Sequence, residues 1–166
     1  MIEIRREREV DSSQVYDMIA AAFKRDAEAD LVDRLREIGG YLAYVADLGG
    51  EVIGHVSFSP VTLNGTPSIF TGLAPMSVVP EFQRQGVGSQ LIKAGLEGCR
   101  EADYGAVFVL GHPAYYSKFG FCTARQFGFK CEYTAAEENF LVFELRPGVL
   151  HGLNGLVRYG RVFEGL

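Results

Sequence analysis

Leu73-Ala74-Pro75-Met76-Ser77-Val78-Val79-Pro80 and, just beyond it, Gln83-Arg84-Gln85-Gly86-Val87-Gly88 form the stretch on which the reading of the whole chain turns. The first part is short, apolar and closed by a proline, as a buried strand is. Downstream of the second part, Leu91, Ile92, Leu96 and Cys99 fall on one face at helical spacing. The pattern is therefore strand, Gln-x-x-Gly-x-Gly, helix. Glycines at such a turn let backbone N–H groups converge where the helix dipole favours an anion, and without a β-carbon they permit close approach. That geometry suits a pyrophosphate. A dinucleotide-binding turn would instead need Gly-x-Gly-x-x-Gly with an acidic residue about 20 positions on, and a P-loop would need Gly-x-x-x-x-Gly-Lys-Ser/Thr; neither run is present. Alone, Gly-x-Gly also describes a plain turn, so its weight comes from its surroundings.

Working back towards the amino terminus, the meander before this strand reads as Tyr41–Asp47, a Gly49-Gly50 turn, Val52–Val61 and an Asn64-Gly65 turn into Ser68–Val79. Ile2 to Ile4 alternates apolar with charged and reads as a first strand. Asp11 offers a helix N-cap with Gln14 three residues on, ahead of Val15, Met18, Ile19, Ala22 and Phe23 at amphipathic spacing. A second helix is expected over Ala27–Ile38, ended by Gly39-Gly40. Working forward, Ala106–Leu110 is an apolar run of strand length, suited to burial on both faces. Strands are expected near Lys130–Tyr133 and Phe140–Leu145, and the stretch from His151 to Leu166 is expected to cover a sheet edge or a neighbouring subunit.

The chain has 166 residues, enough for one domain with a substantial core. Its 48% hydrophobic and 22% charged residues are ordinary for a soluble protein, and no segment reaches the length of a membrane span. The start of the sequence mixes both charge signs and does not read as a signal peptide. A net charge of −5 gives no general footprint for nucleic acid. Three scattered cysteines, Cys99, Cys122 and Cys131, fit a reducing compartment and have no metal-ligand spacing with a histidine. The expectation is a cytoplasmic protein without nucleic-acid or membrane partners and without a metal.

Taken together, the element order and the Gln-x-x-Gly-x-Gly turn resemble the GNAT N-acetyltransferases over about residues 1–146. Leu110-Gly111-His112-Pro113-Ala114-Tyr115-Tyr116-Ser117-Lys118-Phe119-Gly120-Phe121 looks like the segment after the fifth strand in the YhbS-like branch of that family. The resemblance implies an α/β (α+β) fold in a single domain over residues 1–166, with 147–166 as a C-terminal extension. Its mixed, mostly antiparallel sheet would have about seven strands, splayed between the fourth and fifth and flanked by helices. It implies an acyl-CoA-dependent N-acyltransferase that moves an acetyl group from acetyl-CoA to a primary amine by direct attack in a ternary complex. Backbone groups of Met76 and Val78 would pair with the pantetheine arm, with Ser77 between them facing the other way. N–H groups from Gln83, Arg84, Gln85, Gly86, Val87, Gly88 and Ser89 would hold the pyrophosphate, and Arg84 could add charge.

Such a reaction needs a neutral amine, although an unperturbed lysine-like amine has a pKa near 10.4, and it needs a proton for the departing thiolate. The resemblance places the acid at Tyr116, four residues before Gly120-Phe121, with Tyr115 as the alternative. An asparagine role found in many family members does not transfer, because Gly111 and Pro113 shorten the helix concerned. No glutamate stands in the fourth strand, so the base is unassigned; Glu28, Asp47, His55 and His112 could act directly or through water. On topology alone, Phe23, Glu28 and Phe127 could line the acceptor pocket. A non-catalytic acyl-CoA sensor and an interaction module are the alternatives on the same fold. Whether the protein is a monomer or a homodimer is open, and so is the identity of the amine.

Overall fold

The computed structural model describes residues 1–133 and 137–164. They form two compact units: Met1–Ser59, Ala74–Gly98 and the described residues from Arg161 on make the first, and Pro60–Leu73 with Cys99–Gly160 the second.

In the first unit β1 (Ile2–Arg6) is followed by helices α1 (Ser12–Phe23) and α2 (Ala27–Leu35) and by β2 (Leu42–Leu48). β3 (Glu51–Leu63) and β4 (Thr66–Val78) follow, then α3 (Val87–Glu101). β1 runs antiparallel to β2 from Ile2–Leu48 to Arg6–Tyr44, and β2 antiparallel to β3 from Leu42–Phe58 to Leu48–Glu51. Apolar side chains at helical spacing decide how α1 and α2 pack. Val15, Met18 and Ile19 meet Ala29 and Val32, and all of them close over Val45 and Val52 of the sheet. α3 packs through small residues: a β-carbon at Gly95 would strike the Phe58 ring, and one at Gly98 the Tyr44 ring.

Two local expectations are replaced by stronger contacts. Asp11 does not cap α1 through its side chain. Its carboxylate accepts two hydrogen bonds from the Arg5 guanidinium at 2.8 and 2.9 Å and one from the Arg8 N–H at 2.7 Å; bonds to a charged guanidinium outweigh a neutral cap. Gln14 reaches the sheet instead, donating to the Gly50 carbonyl and accepting from the Val52 N–H. α2 ends at Leu35 rather than Ile38 because the N–H groups of Glu37 and Ile38 close tighter turns onto Arg34 and Leu35.

In the second unit the start of β4 pairs parallel with β5 (Ala106–Leu110) over only three residue pairs, Phe70–Ala106 to Gly72–Phe108. α4 (Pro113–Tyr116) is a single short turn, as Gly111 and Pro113 require. β6 (Cys122–Thr123), β7 (Phe129–Cys131) and β8 (Phe140–Glu144) follow; β5 and β6 both run antiparallel to β8. Nine strands are formed among the described residues. The additions to the expected seven are short, and one of them, β9 (Gly155–Arg158), comes from the region beyond residue 146. β9 pairs antiparallel with the end of β3 and parallel with β7, so this segment is part of the sheet. Asn64 and Gly65 both adopt positive φ, 53° and 81°, the turn expected from Asn-Gly, and the Asn64 side chain also holds Leu156 N–H and the Asn154 carbonyl. Phe70, Phe108, Phe129 and Phe140 form the aromatic core of this unit. Tyr159, 7% exposed, lays its ring where a β-carbon on Gly72 would sit, and its hydroxyl lies 3.2 Å from the carbonyls of both Leu73 and Phe108. Among the described residues no helix is long and apolar enough to cross a membrane.

Candidate functional site

In the first unit the sequence from Met76 to Ser89 is an extended strand end, a 3-10 turn over Pro80–Phe82, an exposed loop and the start of α3. The Val79 N–H donates to the Ile53 carbonyl at 2.9 Å, so strand alternation turns the N–H groups of Met76 and Val78 away from β3. The Val78 carbonyl accepts from Gln83 Nε2 at 2.9 Å, which fixes the loop to the strand. Gln85 Nε2 holds the Glu81 carbonyl at 3.1 Å, so both glutamines act on the loop itself. Gly86 stands at φ 87° with open space where a β-carbon would be, and Arg84 is also left-handed at φ 61°. Gln83 to Gly86 are exposed, Val87 is buried beneath them, and Gly88 and Ser89 belong to the first turn of α3. The first N–H groups of a helix have no intrahelical acceptor, so an exposed, donor-rich turn stands at the head of a 15-residue helix. It fits a phosphate. Gly86, not Gly88, supplies the left-handed backbone.

Ser77 faces the other way from Met76 and Val78 and is buried, and its Oγ has no hydrogen-bond partner among the described residues. A further group that sequence spacing did not single out is built around Glu7. Its carboxylate meets His55 Nε2 at 3.1 Å, Arg36 Nη2 at 2.9 Å and the Tyr41 hydroxyl at 2.9 Å. Burial pushes the Glu7 pKa up, but the bonds from His55 and Arg36 outweigh it and bring it down to about 2. Burial beside this carboxylate pushes the Tyr41 hydroxyl well above its usual range. These residues lie up to 48 positions apart, and only His55 carried any chemical signal in the sequence.

Phe23 is 40% exposed at the end of α1, whereas Glu28 is buried and closed onto Arg25. Hydrogen bonding from Arg25 holds the Glu28 carboxyl below its ordinary range. Asp47 accepts from Arg5 and from the Gly50 N–H. Of the base candidates, Glu28 and Asp47 are thus engaged in structural ion pairs.

In the second unit Tyr116 ends α4, packed edge-on against Tyr115 and Phe121 at 5.1 and 5.5 Å between ring centroids. A β-carbon at Gly111 would run into its ring. Burial, then the neighbouring Tyr115, pushes its hydroxyl up to about 12, so it is protonated at neutral pH. Tyr115 is half-buried under Lys118 Nζ, which sits 4.3 Å over its ring. His112 is exposed at the start of α4. Phe127 borders a cavity of about 240 Å³ with Gly120, Cys122, Val142, Phe143, Glu144 and Leu150. Among the described residues no cluster of His, Cys, Asp or Glu could hold a metal, and Cys99, Cys122 and Cys131 form no disulfide.

Comparison with known proteins gives four findings. The model of the acetyltransferase (GNAT) family matches residues 12–121. An uncharacterized N-acetyltransferase of Escherichia coli K12, YhbS, is 40% identical over 163 residues, 97% of this chain and 98% of that one. The crystal structure of E. coli YhbS in complex with CoA superposes with a TM-score of 0.91 at 39% identity, covering 98% of this chain and 91% of that one. A GNAT family acetyltransferase from Brucella melitensis, in complex with acetyl-CoA, matches with a TM-score of 0.81 at 32% identity and 99% coverage of both chains.

Proposed function

Because the chain belongs to the GNAT acetyltransferase family, we propose that it is an N-acyltransferase moving an acetyl group from acetyl-CoA to a primary amine. The observation that carries this reading is the exposed, left-handed turn at Gly86 on the head of α3, continuous with a strand end whose Met76 and Val78 N–H groups point away from β3. Gln83 to Ser89 would hold the pyrophosphate by backbone N–H groups, with Arg84 beside it. Met76 and Val78 would hold the pantetheine arm as an added strand is held. The amine nitrogen attacks the thioester carbonyl carbon, a C–N bond forms, and the C–S bond breaks with its electron pair leaving on sulfur. Tyr116 is the proposed acid that protonates that sulfur. Its burial keeps the hydroxyl neutral and ready to donate. Phe23, Glu28 and Phe127 are the proposed acceptor-side residues, with Glu28 contributing through its Arg25 pair. We propose that residues 1–166 act as one catalytic domain, in the cytoplasm.

The test is a thermal-shift titration with acetyl-CoA beside CoA and ATP, followed by thiol-release assays on an amine panel. At about 100 times the dissociation constant, ligand binding adds roughly 2.7 kcal/mol of stability. A shift with both CoA species and not with ATP is expected, together with turnover that collapses in Tyr116→Phe while binding persists. Binding without turnover towards any amine would mark a sensor. No shift in folded protein would refute the CoA site.

A further inference from the structure

His55 Nδ1 and Ser77 Oγ are both buried and have no hydrogen-bond partner among the described residues. They belong to neighbouring strands of the first unit. The Val79 N–H bond to the Ile53 carbonyl lies on one side of them, and the Ser57 hydroxyl bond to the Ala74 carbonyl on the other. Two residues in from the Ile53–Val79 anchor, His55 stands across from Ser77, and cross-strand partners share a face. That face is the one covered by α1 and α2, since His55 pairs with Val45 of their core cluster.

We propose that His55 takes the proton of the acceptor amine through a water held between His55 Nδ1 and Ser77 Oγ, with Glu7 as the positioning residue. The proposal rests on the acetyltransferase reading above. Glu7 is ionised and accepts, so the proton of a neutral His55 imidazole sits on Nε2 and the lone pair is left on Nδ1. Buried polar groups without protein partners are where ordered water sits, and such a water needs two or more polar neighbours. Ser77 separates Met76 from Val78, so the water stands beside the strand segment assigned to the pantetheine arm. The amine's N–H proton passes to the water as a water proton passes to Nδ1. The nitrogen keeps its electron pair for attack, and the imidazolium is stabilised by the Glu7 carboxylate. Among the described residues, Tyr41 ahead of β2 and Arg36 after α2 are titratable groups hydrogen-bonded to Glu7, and Asp33 of α2 pairs with Arg36.

The experiment compares kcat against pH for wild type, His55→Gln, Glu7→Gln and Ser77→Ala. Thiol release from acetyl-CoA is followed with the best acceptor of a panel of benzylamine, spermidine and a lysyl peptide. General-base catalysis contributes roughly 100-fold or more. His55→Gln should therefore fall about that far at pH 7 and climb tenfold per pH unit towards the amine's own pKa, where no base is needed. Ser77→Ala, which removes one oxygen, should show the same change of slope with a smaller loss. Nitrogen-15 histidine spectra of the CoA-bound protein should show His55 protonated at Nε2 and bare at Nδ1, a state lost in Glu7→Gln. Profiles that fall in parallel with wild type, or a His55 protonated at Nδ1, overturn the relay and leave the acetyltransferase reading standing. Wild type that binds acetyl-CoA and acylates no amine overturns both.

Discussion

Replacing Gly86 with alanine separates the strain of the turn from its contact with ligand. Gly86 sits at φ 87°, and a β-carbon there would meet no protein atom within 4 Å. The substitution therefore costs only backbone strain inside the protein, roughly 1–2 kcal/mol for an L-residue in a left-handed conformation. At about 2–4 °C per kcal/mol for a chain of this size, Tm should fall by roughly 2–8 °C with a single cooperative transition retained. That strain is present with and without ligand, so it cancels from the binding equilibrium. What remains is the effect of the β-carbon on the phosphate. Losing one N–H bond to a charged oxygen costs about 1.5–3 kcal/mol, which raises Kd for acetyl-CoA by roughly 10- to 150-fold. Calorimetric titration of both proteins, with melting curves in parallel, reads the two quantities independently. A Tm lowered as calculated with Kd within about twofold of wild type would refute the assignment of phosphate to this turn.

Gly72→Ala should destabilise by about 1–3 kcal/mol in urea unfolding, because its β-carbon would lie 2.6 Å from Tyr159 Cε2 and 2.9 Å from Val61 Cγ1. The cost should shrink but not vanish in a Tyr159→Ala background, and an unchanged cost would show that the ring does not fill the glycine's space. Acid should weaken the protein through Glu7, whose carboxyl titrates at about 2 when folded against an ordinary 4.5. A lowered carboxyl stabilises above the ordinary value, so stability should drop as pH falls from about 5 through 2, and Glu7→Gln should flatten that part of the curve.

The glycine turn, the two hairpin turns, β5 and the short α4 were legible because each is fixed by local chemistry: φ demanded by glycine or Asn-Gly, a continuous apolar run, a proline at a helix start. Asp11 and Gln14 were misread for the opposite reason. Both carry good capping side chains, but Arg5 and the Gly50–Val52 backbone compete for them, and those partners are distant or on another element. The Glu7 group was illegible because four residues between positions 7 and 55 form it only once β1, α2, β2 and β3 are assembled. Tyr116 could be named from the motif that surrounds it. Its packing against Tyr115 and Phe121, which sets its acidity, could not.

The strand β9 bears on how the chain is made. β3 has an edge at Thr62 and Leu63 with which residues 157 and 158 pair, and Asn64 waits for a Leu156 partner 92 positions later. During vectorial synthesis the β3–β4 hairpin can close early, but this edge stays open until Tyr159 has been released. An uncovered strand edge is a template for pairing with other chains, so the nascent protein passes through a window in which crowding or slow elongation favours aggregation. Contacts of such long sequence separation also slow refolding from denaturant.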